Sequence, residues 1–206
     1  MFAAIALSPK ISAIAAGFCL LACGDGVGQP IRKAVETPAD GGAGNGDVPN
    51  STYCKDVVTW AAADAADEQL LVSTLNTLRA FGLPCNGGIG GLGGFGGMPS
   101  LPSQESALTM SPELRCAARR HSRDMAEQAT PAGETPEARM RLAGYASSVT
   151  AEVTARDLPQ AYQVLEQQLR GGGDGCNALL DPRMVAVGVG KFQNMWTVDL
   201  AGARSP

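Results

Sequence analysis

The sequence has a single histidine, His121, and aromatic residues make up only 5% of its 206 positions. A zinc site needs several nitrogen or sulfur ligands, and the cysteines form no Cys-x-x-Cys pair, so the residue types argue against such a site. Positive charge is also scarce, because 16 lysines and arginines face 20 acids with no basic stripe. A nucleic-acid partner is therefore excluded as a working hypothesis.

What remains suits one ordinary globular domain with added segments: 45% hydrophobic residues and a formal charge of −4. An apolar run over residues 11–22, preceded by Lys10, predicts a secretory signal peptide at residues 1–22. The run is too short by itself to span a bilayer as a helix. An uncleaved anchor is the alternative.

The residues LLACG at positions 20–24 resemble the bacterial lipobox, in which a cysteine behind a small residue becomes the lipidated first residue. An ordinary signal peptide with an incidental cysteine is the other interpretation. We expect Cys23 to carry acyl chains that hold the exported protein on a membrane of the cell envelope. The sequence leaves open whether this is the periplasmic face or the cell surface.

Residues 23–53 begin with that cysteine and continue rich in Gly, Pro, Asp and Asn, which predicts a flexible tether. As a random coil the tether would span roughly 30 Å. The folded domain is expected over residues 54–206. Within it, the stretch NGGIGGLGGFGGM (86–98) lacks the flanking strand and helix of a dinucleotide loop, and we interpret it as a mobile loop.

Apolar periodicity and capping residues predict helices early in the domain and antiparallel strands at its end. The run Ser111-Pro112-Glu113, for example, combines a cap residue, a first-turn proline and an early acid. The predicted elements are helices over 67–81, 111–128, 135–144 and from Asp157 onward, a strand over 147–154, and a C-terminal hairpin of strands 184–192 and 195–201. This order indicates an α/β sandwich of modest size.

Four cysteines remain once Cys19 and Cys23 are assigned to the signal peptide and the lipid anchor. They are Cys54, Cys85, Cys116 and Cys176. In an exported chain, four cysteines imply two disulfides, with three possible pairings.

Several segments resemble the CAP superfamily, which comprises cysteine-rich secretory proteins, antigen 5 and pathogenesis-related proteins. They occur in the family's order over about residues 54–202, and they are LNTLRAFGLPC, LTMSPELRCAARRHSRDMA, RMRLAGY, the acid of TAEVTA, GCNALLDP, and VAVGVGKF with WTVDLA. Exported bacterial members are the most similar. The resemblance implies a three-layer α-β-α sandwich with a mostly antiparallel central sheet, a C-terminal β-hairpin and a surface groove. It also implies the disulfides Cys85–Cys176 and Cys54–Cys116.

The family groove commonly carries two histidines and one or two glutamates that can hold a divalent metal. The glutamate of the family motif matches Glu152, but Gly175 stands where one histidine would be, beside Asp174. The stretch that would carry the other histidine is missing after Met125-Ala126. Imidazole supplies most of the affinity for transition metals, so we predict no metal, no cofactor and only residual groove positions at Glu152, Asp174 and Gly175. Asp174 itself suits a turn.

His121 has two interpretations. It could act as a general base, or it could be a buried histidine with satisfied hydrogen bonds on the apolar stripe of Leu114, Ala118 and Met125. We favour the second, and we interpret Glu152 as an acid at a strand edge without a carboxylate partner.

The function expected from these observations is a non-catalytic, membrane-tethered binding or structural protein of the cell envelope, present as a monomer. Its ligand would be a protein, a lipid or a cell-wall component. The alternatives are a lipid or sterol carrier, and a hydrolase with an unfamiliar site around His121 and Glu152.

Overall fold

The computed structural model describes residues 47–82, 85, 105–127 and 134–205. The predicted signal peptide, the lipidation site Cys23, the tether up to residue 46 and the glycine-rich stretch 86–98 lie outside the described residues. The same is true of residues 128–133, close to the point after Met125-Ala126 where the resemblance implies a missing histidine.

The described chain forms helices on both sides of a four-stranded sheet. In chain order the elements are a 3-10 turn at Lys55–Val57, α1 Ala62–Phe81, β1 Thr109–Met110, α2 Pro112–Glu127, α3 Pro136–Ala143, β2 Thr150–Ala155, α4 Ala161–Gly171, α5 Gly173–Leu179, β3 Ala186–Phe192 and β4 Met195–Ala201. The strand order is β1-β3-β4-β2, with only β1 parallel to its neighbour. The predicted α/β class and C-terminal hairpin are confirmed, whereas the short β1 was not predicted.

Capping residues set several helix ends where the sequence predicts them, whereas α1 begins five residues earlier than predicted, without a side-chain cap. Helix α1 ends at Gly82, which takes the left-handed conformation at φ 61°. Helix α3 begins after Thr135, whose side chain accepts a hydrogen bond from the amide of Ala138, and it ends at Gly144.

Two local predictions are wrong. Helix α4 begins four residues after Asp157, because that residue has a φ of 60° and the residue before Pro159 is disfavoured in helical conformation. Asp174, which is predicted to lie in a turn, lies with Gly175 in the short helix α5.

The sheet is covered on both faces, which gives the three layers. Helices α1, α4 and α5 pack on one face, and α2 and α3 on the other. The core of the first face is built from Leu71, Leu75, Val153, Val164, Leu165, Leu179, Val187, Val189, Trp196, Val198 and Leu200. The second face is thinner and is built from Leu114, Ala117, Met140, Ala143, Ala186 and Ala201.

Glycines in β3 allow α2 to lie directly on the sheet. A Cβ atom at Gly188 would be 2.0 Å from the carbonyl carbon of Leu114, and one at Gly190 would be 2.3 Å from that of Ala118. Both neighbours are backbone atoms of α2, so the helix axis is held closer to β3 than any side chain would permit.

Two disulfides tie the helices to the rest of the domain. Cys54 is bonded to Cys116 of α2 and Cys85 to Cys176 of α5, the pairing that the family resemblance implies. In the chain-entropy model, closing the 62-residue separation of the first bond stabilises the fold by about 4 kcal/mol.

Packing of the domain begins before Cys54. Val48 is buried against the α2 face, and the carboxylate of Asp47 lies 3.1 Å from the guanidinium of Arg115. Residues 47–53, which are predicted to belong to the tether, therefore pack on the domain.

Between α1 and α2 lies a fully buried carboxylate, that of Glu68. It accepts hydrogen bonds from Arg115 and Arg119, each at 2.8 Å, and from the amide of Lys191 at 3.0 Å. Both arginines are also buried, so this cluster joins two helices on opposite faces to the end of β3.

No helix in the described part of the chain is both long and apolar enough to cross a membrane.

Candidate functional site

The central feature of the site is a pair of acids on neighbouring strands. The register of β2 and β4 places Glu152 directly opposite Asp199, on the sheet face covered by α2 and α3. Asp199 is fully buried, and neither of its carboxyl oxygens accepts a hydrogen bond from a donor group among the described residues. Burial, followed by the charge of Glu152, raises the pKa of Asp199 well above its usual range. Burial beside a second acid therefore favours the protonated form of Asp199 over its charged form.

Arg139 of α3 neutralises Glu152. Its Nη2 forms a close ion pair with Oε2 of Glu152, and its Nη1 donates a 3.0 Å hydrogen bond to the carbonyl of Glu134. The Arg139 side chain is only 3% exposed. A guanidinium held by α3 thus supplies the counter-charge to the one acid that the sequence motif identifies.

His121 of α2 is on the other side of the same carboxylate. Its Nε2 lies 3.6 Å from Oε1 of Glu152, while its buried Nδ1 has no hydrogen-bond partner among the described residues. Burial lowers the pKa of His121, Arg139 lowers it further, and Glu152 opposes both. The imidazole is therefore neutral at pH 7.

Two predictions about this cluster need correction. His121 is buried as predicted, but it faces an acid and has an unpaired nitrogen instead of satisfied hydrogen bonds in an apolar core. Glu152 has partners on both sides and an acid opposite it, contrary to the prediction of an isolated carboxylate.

The other predicted positions lie elsewhere. Asp174 is exposed on α5, in the layer on the opposite face of the sheet from Arg139 and His121. A Cβ at Gly175 would be 2.1 Å from Oε1 of Gln168, the flexible end of a side chain, so this position borders α4. In the described part of the chain, no hydrogen bond or ion pair connects either residue to Glu152.

Ser122 is not available to His121 as a nucleophile. Its hydroxyl donates to the carbonyl of Gly190 at 2.8 Å and lies 3.0 Å from the hydroxyl of Thr197. The side chain is therefore fixed beneath the sheet, as expected from the different directions of adjacent residues on a helix.

A cavity of about 520 Å³ borders the beginning of β2. It is lined mainly by polar side chains, among them Glu137, Ser147, Thr150, Asn177, Asp181 and Arg183. A smaller cavity of about 230 Å³ shares Glu137, Ser147 and Thr150 with it and extends to Arg141 and Tyr145. Glu152 lines neither cavity.

A mixed four-stranded sheet between two helical layers, with its C-terminal hairpin in the sheet, is the fold of the SCP or CAP domain. Solved structures support this assignment of the fold. A scan of protein-family models finds no match to the chain, and a search of curated proteins finds none either.

Three solved structures are similar over 68% of this chain. An extracellular protein containing an SCP domain from Bacillus anthracis str. Ames has a TM-score of 0.52 at 15% identity, and a cysteine-rich secretory protein from Staphylococcus aureus subsp. aureus Mu50 has 0.51 at 8%. An outer surface protein from Borrelia burgdorferi has 0.51 at 17%. The match spans 41% and 39% of the first two chains and 94% of the third.

Proposed function

We propose that the chain is an exported, envelope-tethered CAP-like domain that acts by binding or as a structural component, without catalysis. Its groove has lost the divalent metal site of the family. The observation that carries this proposal is the ion pair between Arg139 and Glu152. The acid that the resemblance matches to a metal ligand already has a buried cation as its partner.

The residues do not fit a divalent metal. A metal at Glu152 would displace a nearly buried guanidinium, and an uncompensated buried charge is strongly unfavourable. The facing acid, Asp199, is fully buried, and the raised pKa that follows disfavours the charged form that a metal ligand needs. Gly175 offers no imidazole. In the residues that the structure describes, no group of three or more His, Cys, Asp or Glu side chains is arranged to hold a metal ion.

The purified protein, dialysed without chelator, is expected to contain substoichiometric zinc, and calorimetric titration with Zn²⁺ is expected to give no saturable heat. The matched control is Glu152→Gln, which should give the same titration curve as wild type. Stoichiometric zinc that is lost in Glu152→Gln would overturn the proposal.

Features of the site around Glu152 also support a non-catalytic role. His121 is 9% exposed, Glu152 is neutralised by Arg139, and Ser122 is fixed by Gly190 and Thr197. The contact between His121 and Glu152 is what favours the alternative, a hydrolase. Hydrolytic activity that His121→Gln abolishes without lowering the melting temperature would establish that alternative instead.

The lipid-carrier alternative has less support. The two cavities beside β2 have a mixed lining, in which hydroxyl, amide and charged groups stand beside apolar residues such as Ala151, Ala178 and Met184. A mixed lining suits an acyl chain or a sterol less well than a predominantly apolar one.

Tethering rests on the lipobox at Cys23, and export is also supported by the two disulfides, which persist in oxidising compartments. The similar proteins from Bacillus anthracis and Borrelia burgdorferi are described as extracellular and outer-surface proteins, respectively.

Cys23→Ala is expected to move the protein out of the membrane fraction, because the acyl chains that hold it there cannot be attached. Cys19→Ala, a change in the same predicted signal peptide, is the matched control and should leave the protein in the membrane fraction. Immunoblots of fractionated cells measure both. An unchanged distribution of Cys23→Ala would contradict lipid anchoring.

A further inference from the structure

Strand β2 is at the edge of the sheet, paired with β4 on one side only. The amide of Gly202 donates to the carbonyl of Val149 at 2.8 Å, so the backbone groups of Val149 point towards β4. Backbone direction alternates along an antiparallel strand. The N–H and C=O groups of Thr150, Glu152 and Thr154 therefore point away from the sheet.

These outward groups are mostly unpaired in the part of the chain that the structure describes. The carbonyl of Thr154 accepts a 3.3 Å hydrogen bond from the side chain of Gln168. The amides and carbonyls of Thr150 and Glu152 have no such partner. Backbone donors and acceptors that repeat every second residue are complementary to another extended polypeptide, and to few other ligands.

Space is available beside this edge. The 520 Å³ cavity borders Val149, Thr150 and Ala151. Glu137 of α3 lines one side of it, and Asn177 and Ala178 of α5 line the other. The cavity is therefore a cleft between the two helical layers, at the place where the sheet edge is unpaired.

The two sides of the cleft differ chemically. On the side of Thr150, the carboxylate of Glu137 is bonded to the Thr150 hydroxyl at 3.3 Å, and it forms no ion pair among the described residues. Hydrogen bonds from its own backbone amide and from Thr135 lower its pKa, so it is ionised. On the opposite side, Ala151, Ala178 and Met184 present apolar surface beside Asn177 and the ion pair of Asp181 and Arg183.

We propose that an extended segment of a partner protein pairs with the outer edge of β2 at Thr150 and Glu152 and forms a fifth strand. Side chains of an added strand alternate between the two faces of the sheet. The segment therefore carries basic residues facing Glu137, alternating with apolar residues facing Ala151 and Ala178. This inference rests on the proposed binding role and names a peptide as the ligand.

The test uses a blocked, fluorescein-labelled hexapeptide of alternating lysine and valine, titrated with the full-length protein and followed by anisotropy. Two control peptides of identical charge carry N-methyl groups on either the lysines or the valines. Only one set of amides can face β2, so one control should lose binding and the other keep it. Loss with methylated lysines indicates an antiparallel added strand, and loss with methylated valines a parallel one. The proposal would be overturned if both control peptides bind as well as the unmethylated peptide, or if neither of them binds.

A protein variant tests the edge itself. Thr150→Pro removes an outward N–H and leaves the hydrogen bonds to β4 intact, as proline is tolerated on the open side of an edge strand. Losing one backbone hydrogen bond is expected to weaken peptide binding about tenfold. Glu137→Gln provides a second variant should the proline lower stability, and it should weaken binding most at low salt. Binding unchanged in both variants would overturn the site.

Failure here is distinguishable from failure of the proposed function. If the protein contains no metal and is found in the membrane fraction, but does not bind the peptide, only the proposed fifth strand is refuted. Stoichiometric bound zinc or hydrolytic activity would refute the proposed function. The measured binding of the peptide to β2 would still stand or fall by its own controls.

Discussion

Replacing Glu68 by glutamine is expected to lower the free energy of unfolding by about 3–5 kcal/mol, the usual effect of removing one partner from a buried ion pair. Glu68 is fully buried and is the carboxylate shared by Arg115 and Arg119, both at 2.8 Å. The variant would leave Arg119 nearly without counter-charge, because the nearest other acid, Asp47, is 4.0 Å away. Arg115 would keep only its 3.1 Å ion pair with Asp47, whose side chain is 42% exposed.

The matched control for this variant is Glu166→Gln. Glu166 forms an ion pair of similar length, 2.6 Å, with Arg170, but both side chains are well exposed on α4. Its loss should change stability by less than about 1 kcal/mol. Urea denaturation of both variants gives the comparison. If Glu68→Gln were no more destabilised than Glu166→Gln, the buried cluster would not hold α1 to α2 as described.

Gly188→Ala is expected to lower the free energy of unfolding by about 3 kcal/mol or more, towards the upper end of overpacking effects. The added methyl carbon would be 2.0 Å from the carbonyl carbon of Leu114 and 2.2 Å from the amide of Arg115. Those are backbone atoms in the first turns of α2, which the Cys54–Cys116 disulfide also restrains. The helix cannot move aside as a flexible side chain can.

Gly171→Ala is the control for Gly188→Ala. Gly171 is the last residue of α4, and a Cβ there would contact nothing within 4 Å. Alanine also favours the helix more than glycine does, so a small change in either direction is expected. Thermal unfolding measures both. A melting temperature of Gly188→Ala equal to that of Gly171→Ala would contradict the close packing of α2 on β3.

Local signals in the sequence were sufficient for most of the architecture. Thr135 and Gly144 delimit α3 through capping chemistry that acts within four residues. The hairpin of β3 and β4 follows from alternation of side chains on either side of Gln193-Asn194. Helix α5 was missed because its glycines favour a loop. Its burial of Cys176 and Leu179 in the core, which the sequence alone does not reveal, outweighs that propensity.

The candidate site was predicted only in part. The motif identifies Glu152 because it resembles the family pattern, but Arg139 and Asp199 have no comparable signal. Asp199 alternates with the apolar residues of β4, a pattern that predicts a solvent-facing side chain. The side chain is buried instead, because α2 and α3 cover that face. Only the tertiary arrangement brings Arg139, His121 and Asp199 to Glu152.

The disulfide between Cys54 and Cys116 also has a mechanical consequence. Cys54 lies close to the point where the predicted tether meets the packed domain, and Cys116 lies within α2. Tension along the N-terminal segment would first load the contacts of Asp47 and Val48, and then pass through the covalent bond into α2. Since α2 lies across β3 and β4, the force is shared by a whole layer and does not peel a single strand from the sheet. Reduction of this one bond would leave the load to non-covalent contacts.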